Sequence, residues 1–292
     1  LEKGRATNSK RRIEIAFRIE DMKTILVTGA SAGIGEATVK LLLQHGYKVY
    51  AAARRTERMV DLQTAGAILL SLDVTDKPSI VSAIQQITRE SGGVDVLINN
   101  AGYGSLGSIE EVDLDEARRQ FEVNVFGLAQ LIQLVTPYMR EKQAGRIVNI
   151  SSVAGKIYQP LGGWYHATKF AVEGLSDCLR LELKAFGIDV VVVQPGPIRT
   201  EWGDIALKNL LANSAKGPYK KLAEGMSNNF SSFYTEKRAS GPEAVAQVIF
   251  KAVQAKHPKT RYAAGKGASG ILLGRKLVSD KLFDKIMLGM LR

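Results

Sequence analysis

Short apolar runs recur along the chain at 24–27, 49–53, 67–72, 94–98, 146–150 and 188–193, each of strand rather than helix length. They predict six strands. Between them lie helix-length amphipathic segments that begin near Gly33, Arg55, Lys77, Leu114 and Trp164. Strands that are apolar on both faces, alternating with helices, predict an α/β fold: one doubly wound, Rossmann-like parallel sheet with helices on both faces. After Pro197 the pattern loosens until about Ser240, which reads as a long loop. Regular structure resumes with a helix from Gly241 and a short apolar run at 260–264.

Composition narrows the class. At 292 residues and 45% hydrophobic the chain can bury a full core, and no stretch of about 18 apolar residues predicts a membrane span. Its single cysteine, Cys178, excludes an internal disulfide and agrees with a reducing, cytoplasmic setting; a buried, inert thiol is expected. Residues 1–21 lack a signal-peptide core and read as an expression remnant or a disordered arm, ahead of a domain at 22–265. The net charge of +11 is concentrated: 251–292 holds ten Lys/Arg against Asp280 and Asp284, a net +8. Within it, 266–292 reads as a basic amphipathic extension.

Directly after the first run comes TGASAGIG, with Gly29, Gly33 and Gly35 opening a helix. Such a turn lets a pyrophosphate approach backbone amides, here including those of Ser31 and Ile34, at a positive helix end, although a strand-to-helix turn uses glycine in any case. The spacing is T-G-x-x-x-G-x-G rather than G-x-G-x-x-G. NNAG at 99–102 follows the fourth run, FEVNVFG holds Asn124, NISSVAG follows the fifth, Tyr165-x-x-x-Lys169 opens a helix, and PGPIRT at 195–200 follows the sixth. In this order and at these separations the set resembles the short-chain dehydrogenase/reductase family, closely over 23–200 and loosely beyond. A weaker likeness runs to its hydroxysteroid and retinol dehydrogenase-like branch.

The resemblance implies an oxidoreductase with a nicotinamide cofactor. In dinucleotide-binding sheets the second strand ends at the adenosine ribose, where a carboxylate suits a 2′-hydroxyl and an arginine a 2′-phosphate. Here the position of that carboxylate is Ala53, followed by Arg54 and Arg55, so NADP is expected over NAD, with Arg54 as the contact. Both arginines could instead be solvated. By motif match, Asp73 and Val74 border the adenine, Asn99 steadies the sheet, Asn100 borders the cofactor, Pro195 and Gly196 flank the nicotinamide, and Thr200 bonds its carboxamide.

Tyr165 and Lys169 stand at i and i+4, on one face of a helix. Tyrosine ionises near 10, and bringing it to about 7 takes roughly 4 kcal/mol at about 1.36 kcal/mol per unit. A cation about 4 Å away in a partly screened site supplies that much. Lys169 is expected to do so. The resemblance adds Ser152, hydrogen-bonding the substrate oxygen, and Asn124, holding a helix distortion and a water that links the lysine to solvent. Each has a plainer reading, as a turn cap, an apolar cover or a solvated side chain, and it is their joint placement that favours catalysis. His166, one residue from Tyr165, points about 100° away and is expected to be incidental. Three histidines and no Cys/His cluster predict no metal site.

Trp202, Leu207, Leu210, Tyr219, Phe230 and Tyr234 fall in the 197–240 stretch and suggest an apolar pocket for a hydrophobic alcohol or carbonyl. Residues such as Leu277, Leu282, Phe283, Ile286 and Met290 make an apolar stripe with lysines opposite, which suits docking on this domain or another subunit better than a membrane surface. No recognition motif accompanies the basic charge, so nucleic acid is not expected as a partner. A homodimer or homotetramer follows from the resemblance. The rival reading is a dinucleotide-binding sensor without turnover, which has no use for Ser152, Tyr165 and Lys169 together. Nucleotide-sugar epimerases share Tyr-x-x-x-Lys but not NNAG or the PG motif.

Overall fold

The computed structural model describes residues 23–290; the expected arm at 1–21 lies outside them. Seven parallel strands form one sheet in the order β3-β2-β1-β4-β5-β6-β7. They are β1 (Thr24–Thr28), β2 (Lys48–Ala53), β3 (Ile68–Ser71), β4 (Val96–Asn99), β5 (Gly145–Ile150), β6 (Ile188–Pro195) and β7 (Arg261–Ala264). All six runs became strands, and the short run at 260–264 supplies the seventh. The order reverses between β1 and β4, which opens a crevice at the carboxyl edge.

Side-chain alternation explains why these runs are continuous. In β1, Ile25 and Val27 enter one buried cluster while Leu26 enters the other; β2 splits Val49, Ala51 and Ala53 from Tyr50 and Ala52 in the same way. Each face therefore needs a helical cover. One face receives α1 (Gly33–Gln44), whose Val39 and Leu42 pack with Val245 and Ile249 of a helix near the C-terminus. The short α2 (Val60–Thr64) follows a 3₁₀ turn at Thr56–Met59, near the helix expected from Arg55. The other face receives α3 (Lys77–Ser91), then α4 (Leu114–Phe121), a π-helical segment Glu122–Phe126, α5 (Gly127–Glu141) and α6 (Gly163–Leu183).

The 197–240 stretch is not a loop. It folds as α7 (Glu201–Ser214) and α8 (Lys220–Phe233), followed by α9 (Pro242–Gln254), which carries Val245 and Ile249. Ala206, Leu210, Ala223 and Met226 form a third buried cluster with Leu106 and Leu161. Burial at three- and four-residue spacing outweighs Gly217-Pro218, which marks the break between the two helices, and Gly225, which α8 tolerates. The last helices among the described residues are α10 (Ala268–Leu277) and α11 (Asp280–Gly289). Among the described residues no helix is long and apolar enough to cross a membrane.

Cys178 departs from expectation: it is exposed. Its spacing from exposed Leu175 and Leu181 puts it on the outer face of α6, whereas Val172 and Ser176 turn inward.

Candidate active site

The carboxyl ends of β1 to β6 meet at the crevice. Gly29 (φ 66°) and Gly33 (φ 58°) take left-handed conformations that let β1 turn directly into α1. Gly35 is needed for another reason, since a Cβ there would stand 2.2 Å from the Gly29 carbonyl oxygen. The N-terminus of α1 has no side-chain cap, which leaves amides of Gly33 and Ile34 directed at the groove. Thr28 Oγ1 accepts from the amides of Asn100 and Ala101, each at 3.1 Å, and Asn100 Nδ2 donates to the carbonyls of Thr28 (2.9 Å) and Gly29 (3.2 Å). Asn100 thus lines the groove while its amide ties the glycine turn to the end of β4. Asn99 is buried, donating to Asn149 Oδ1 at 2.9 Å across the strand pair, and Asn149 in turn donates to Ser176 Oγ of α6 at 2.9 Å.

A cavity of about 860 Å³ runs along this edge. Gly29, Ser31, Gly33, Ile34, Arg54, Asp73, Val74 and Asn100 line it together with Thr200, whose side chain packs against Gly33, and Pro195 and Gly196 line it beside Ser152, Tyr165 and Lys169. Arg54 is exposed at the rim. Burial works against the charge on Asp73, yet hydrogen bonds from the Thr75 amide and hydroxyl, with Arg54 and Arg119 nearby, hold its carboxyl below the usual range. The donor set, the uncapped helix end and the cavity's volume fit a dinucleotide.

Ser152 caps a 3₁₀ turn by accepting from the Ala154 amide at 3.1 Å, while its hydroxyl reaches the Pro195 carbonyl at 3.4 Å. It also hydrogen-bonds with Tyr165. The turn-cap reading and the site reading therefore hold together. Asn124 sits in the π-helical segment, the distortion the resemblance implied. Its Nδ2 donates to the Tyr103 carbonyl (2.9 Å) and to Thr168 Oγ1 (3.1 Å), and its Oδ1 accepts from the Tyr103 amide at 3.0 Å. Gly102 keeps a gap open here, because a Cβ would stand 3.0 Å from Asn124 Oδ1 and 3.8 Å from Lys169 Nζ.

The Tyr–Lys electrostatics differ from expectation. Burial pushes the Tyr165 phenol up to about 12, with the Ser152 hydrogen bond pulling the other way. Burial also brings Lys169 down to about 8, opposed by the charge of Glu173. The lysine Nζ donates to the Ile150 carbonyl at 2.9 Å and lies 5.9 Å from the Tyr165 ring centre. Desolvation of the phenol beneath Trp202, whose ring centre is 4.9 Å away, wins over a cation that is spent on a backbone oxygen. His166 is buried beside the cavity, with Nδ1 at 2.9 Å from the Ala154 carbonyl and a pKa lowered by burial.

Three features were missed from the sequence. Glu173, one turn beyond Lys169, is almost fully buried and accepts from Arg261 Nε (2.9 Å) and Gln194 Nε2 (2.9 Å), with Lys156 Nζ at 3.1 Å. Its i+4 spacing was the available signal. Glu201, in the first turn of α7, pairs with Arg58 and lies 3.8 Å from Arg55, so it links the helix after β6 to the turn after β2. Nothing local in the sequence announces that link. The third is the tail: Ile271, Val278, Phe283 and Met287 of α10, α11 and their connection line the cavity.

A glycine turn against an uncapped helix end, joined by one groove to a Ser, Tyr and Lys cluster, defines a dinucleotide-binding oxidoreductase. The chain belongs to the short-chain dehydrogenase/reductase family: the short chain dehydrogenase family model matches residues 23–208. It is 35% identical over 268 residues to the probable short-chain type dehydrogenase/reductase VdlC of Helicobacter pylori, covering 90% of this chain and 97% of that protein. It is 37% identical to the 3-ketodihydrosphingosine reductase of Bacteroides thetaiotaomicron (82% of this chain, 87% of the relative). It is 35% identical to the NADPH-dependent 3-dehydrocapnine reductase of Ornithobacterium rhinotracheale (91% and 96%). Among solved structures, a short-chain dehydrogenase from Streptomyces avermitilis superposes with a TM-score of 0.77 at 33% identity (92% and 97%). A serine dehydrogenase complexed with NADP+ gives 0.73 at 27% (83% and 94%). These relatives carry the names of dehydrogenases and reductases, not of sensors, and the cofactor class is a nicotinamide dinucleotide.

Proposed function

We propose that the protein is an NADP(H)-dependent oxidoreductase that interconverts a hydrophobic carbonyl and its alcohol, with Tyr165 as general acid/base. The observation that carries this is the convergence of Ser152, Tyr165 and Lys169 at the end of a groove roofed by apolar side chains. Ala53 leaves no carboxylate to repel a 2′-phosphate, and Arg54 stands at the rim to meet one. The relative named as NADPH-dependent agrees with that choice. Gly29, Ser31, Gly33, Ile34 and Gly35 would hold the pyrophosphate, Asp73, Val74 and Asn100 the adenosine half, and Pro195, Gly196, Thr200 and Lys169 the nicotinamide half. Bound there, the dinucleotide supplies or accepts the hydride.

The protein's own residues manage the oxygen and its proton. Ser152 donates a hydrogen bond to the substrate oxygen, which stabilises charge as it develops. Tyr165, held protonated near neutrality by its burial, gives its proton to that oxygen during reduction. Lys169 and Asn124 provide the route by which the phenol is reprotonated. Trp202, Phe230 and Tyr234 exclude water above the phenol, and their apolar faces favour a long or bulky carbonyl over a short polar one. Two relatives, named as a 3-ketodihydrosphingosine reductase and a 3-dehydrocapnine reductase, support reduction of a keto group. The domain spans 22–265, with α10 and α11 as an extension that completes the pocket. Exposed Phe170, Leu175 and Leu181 on α6 support self-association as a dimer or tetramer. An exposed, unpaired Cys178 suits the reducing cytoplasm.

NADPH oxidation should be followed with 3-ketodihydrosphingosine, steroid ketones and short aliphatic ketones. Turnover of the long apolar ketones is expected, and Tyr165→Phe should abolish it while NADPH affinity stays within about threefold. A mutant as active as wild type would overturn the assignment of Tyr165.

A further inference from the structure

The apolar stripe of α10 and α11 does not all go inward. Phe283 and Met287 line the cavity, whereas Leu273 (59% exposed), Leu277 (76%) and Leu282 (48%) face solvent on the same two helices. Ile286 and Met290 do both: they line the cavity and are themselves exposed, so the cavity reaches the surface at α11. Lysines flank this patch. Lys276 precedes Leu277, and Lys281 and Lys285 lie one residue before Leu282 and Ile286, on an adjoining face of the helix. Asp280 is paired with Arg275, so only Asp284, which accepts from Tyr158 at 3.0 Å, offsets the three lysines, and the patch stays net positive.

We infer that α10 and α11 form an interfacial surface that seats on an anionic lipid bilayer and opens the catalytic cavity toward it. An apolar patch bordered by lysines fits the boundary between acyl chains and negatively charged headgroups, with the lysine stems extending their ammonium groups to the phosphates. A second copy of the chain fits less well. A two-fold pairing of this patch would bring Lys276, Lys281 and Lys285 against the same residues of the partner and close the cavity mouth. A bilayer instead presents the complementary charge and leaves the mouth facing the phase where a long-chain carbonyl dissolves. This inference rests on the hydrophobic-substrate reading above.

The test uses the full chain and two kinds of vesicle, one of phosphatidylcholine and one of phosphatidylcholine with phosphatidylglycerol. Flotation of the wild type with the anionic vesicles and not with the neutral ones is expected. Leu277→Glu/Leu282→Glu and, separately, Lys281→Glu/Lys285→Glu should each weaken that binding by roughly ten- to thirtyfold. None of these four side chains lines the cavity, so turnover of a water-soluble ketone should stay at the wild-type level, while turnover of a long-chain ketone presented in anionic vesicles should fall. Wild-type protein that stays at the bottom of the gradient with anionic vesicles overturns the inference. So do variants that float like wild type, or leucine variants whose only change is from dimer to monomer in sedimentation. Failure to reduce any ketone would count against the proposed activity, and flotation would still be decided separately.

Discussion

Replacing Lys169 by Met should make the protein more stable and inactive. The folded chain holds this lysine 8% exposed with a pKa near 8, whereas in the unfolded chain it titrates near 10.5. Between those values the unfolded state binds more protons, so raising pH favours the fold; below pH 8 the full cost of burying the ammonium is present. At about 1.36 kcal/mol per pKa unit the gap corresponds to roughly 3 kcal/mol. Methionine has a similar length and carries no such cost, but it forfeits the hydrogen bond to the Ile150 carbonyl, about 1 kcal/mol. A net gain of about 2 kcal/mol at pH 7 is therefore expected, read as a midpoint shift in urea at constant m-value. That advantage should fall as pH rises from 8 to 10.5 and give way above it to a deficit of about 1 kcal/mol, the lost hydrogen bond alone. A methionine variant less stable than wild type at pH 7, or an advantage independent of pH across this window, would refute the reasoning. Either result would mean that the ammonium is adequately solvated or paired in the folded state.

Two other sites yield measurable expectations. Ala53→Asp with Arg54→Ala installs the carboxylate and removes the guanidinium, and should lower kcat/KM for NADPH relative to NADH by about 10- to 100-fold, the worth of one hydrogen bond to a charged group; an unchanged ratio would move the 2′-phosphate contact away from Arg54. Glu201→Gln breaks the link from α7 to Arg58 and Arg55, and should speed NADPH dissociation in stopped flow by a few-fold at low salt, the difference vanishing near 0.5 M NaCl as screening removes it. The Arg58 hydrogen bond holds the Glu201 carboxyl below its usual range, so in the wild type the link persists as pH falls through ordinary glutamate values and is lost only beneath them. A salt-independent effect would count against an ionic link.

Why the strands were legible and the roof was not follows from what each element is buried against. Strands of a parallel sheet bury both faces, so 190–193 reads as an unbroken apolar run whatever its neighbours, and the glycine turn reads directly because Gly35 is fixed by its own backbone at Gly29. The roof helices bury one stripe against residues far away in sequence. Leu210 and Met226 find each other, and Leu106 and Leu161 besides, only once the sheet exists. In the tail the apolar positions were visible, yet their division between cavity and solvent was not, because it depends on where Tyr158 and the turn after β5 stand beneath Phe283.

The same distinction explains the error in the Tyr–Lys electrostatics. Helical spacing correctly placed Tyr165 and Lys169 on one face, and from that a cation lowering a phenol's pKa seemed to follow. Spacing carries no information on desolvation, which here acts on both groups at once: it raises the phenol, lowers the ammonium and favours the neutral form of each. The pair in the free protein is thus an uncharged acid beside a weakly held cation. In that condition Tyr165 can donate a proton but is a poor acceptor of one. Reduction then needs no prior change in the protein, whereas alcohol oxidation needs positive charge delivered near the phenol before it can act as a base. The prediction is an asymmetric pH response: carbonyl reduction should stay nearly flat from pH 6 to 7.5, while alcohol oxidation should climb with pH across the same range, both measured as kcat/KM under saturating dinucleotide. Equal pH slopes in the two directions would show that the buried phenol does not govern the proton transfer.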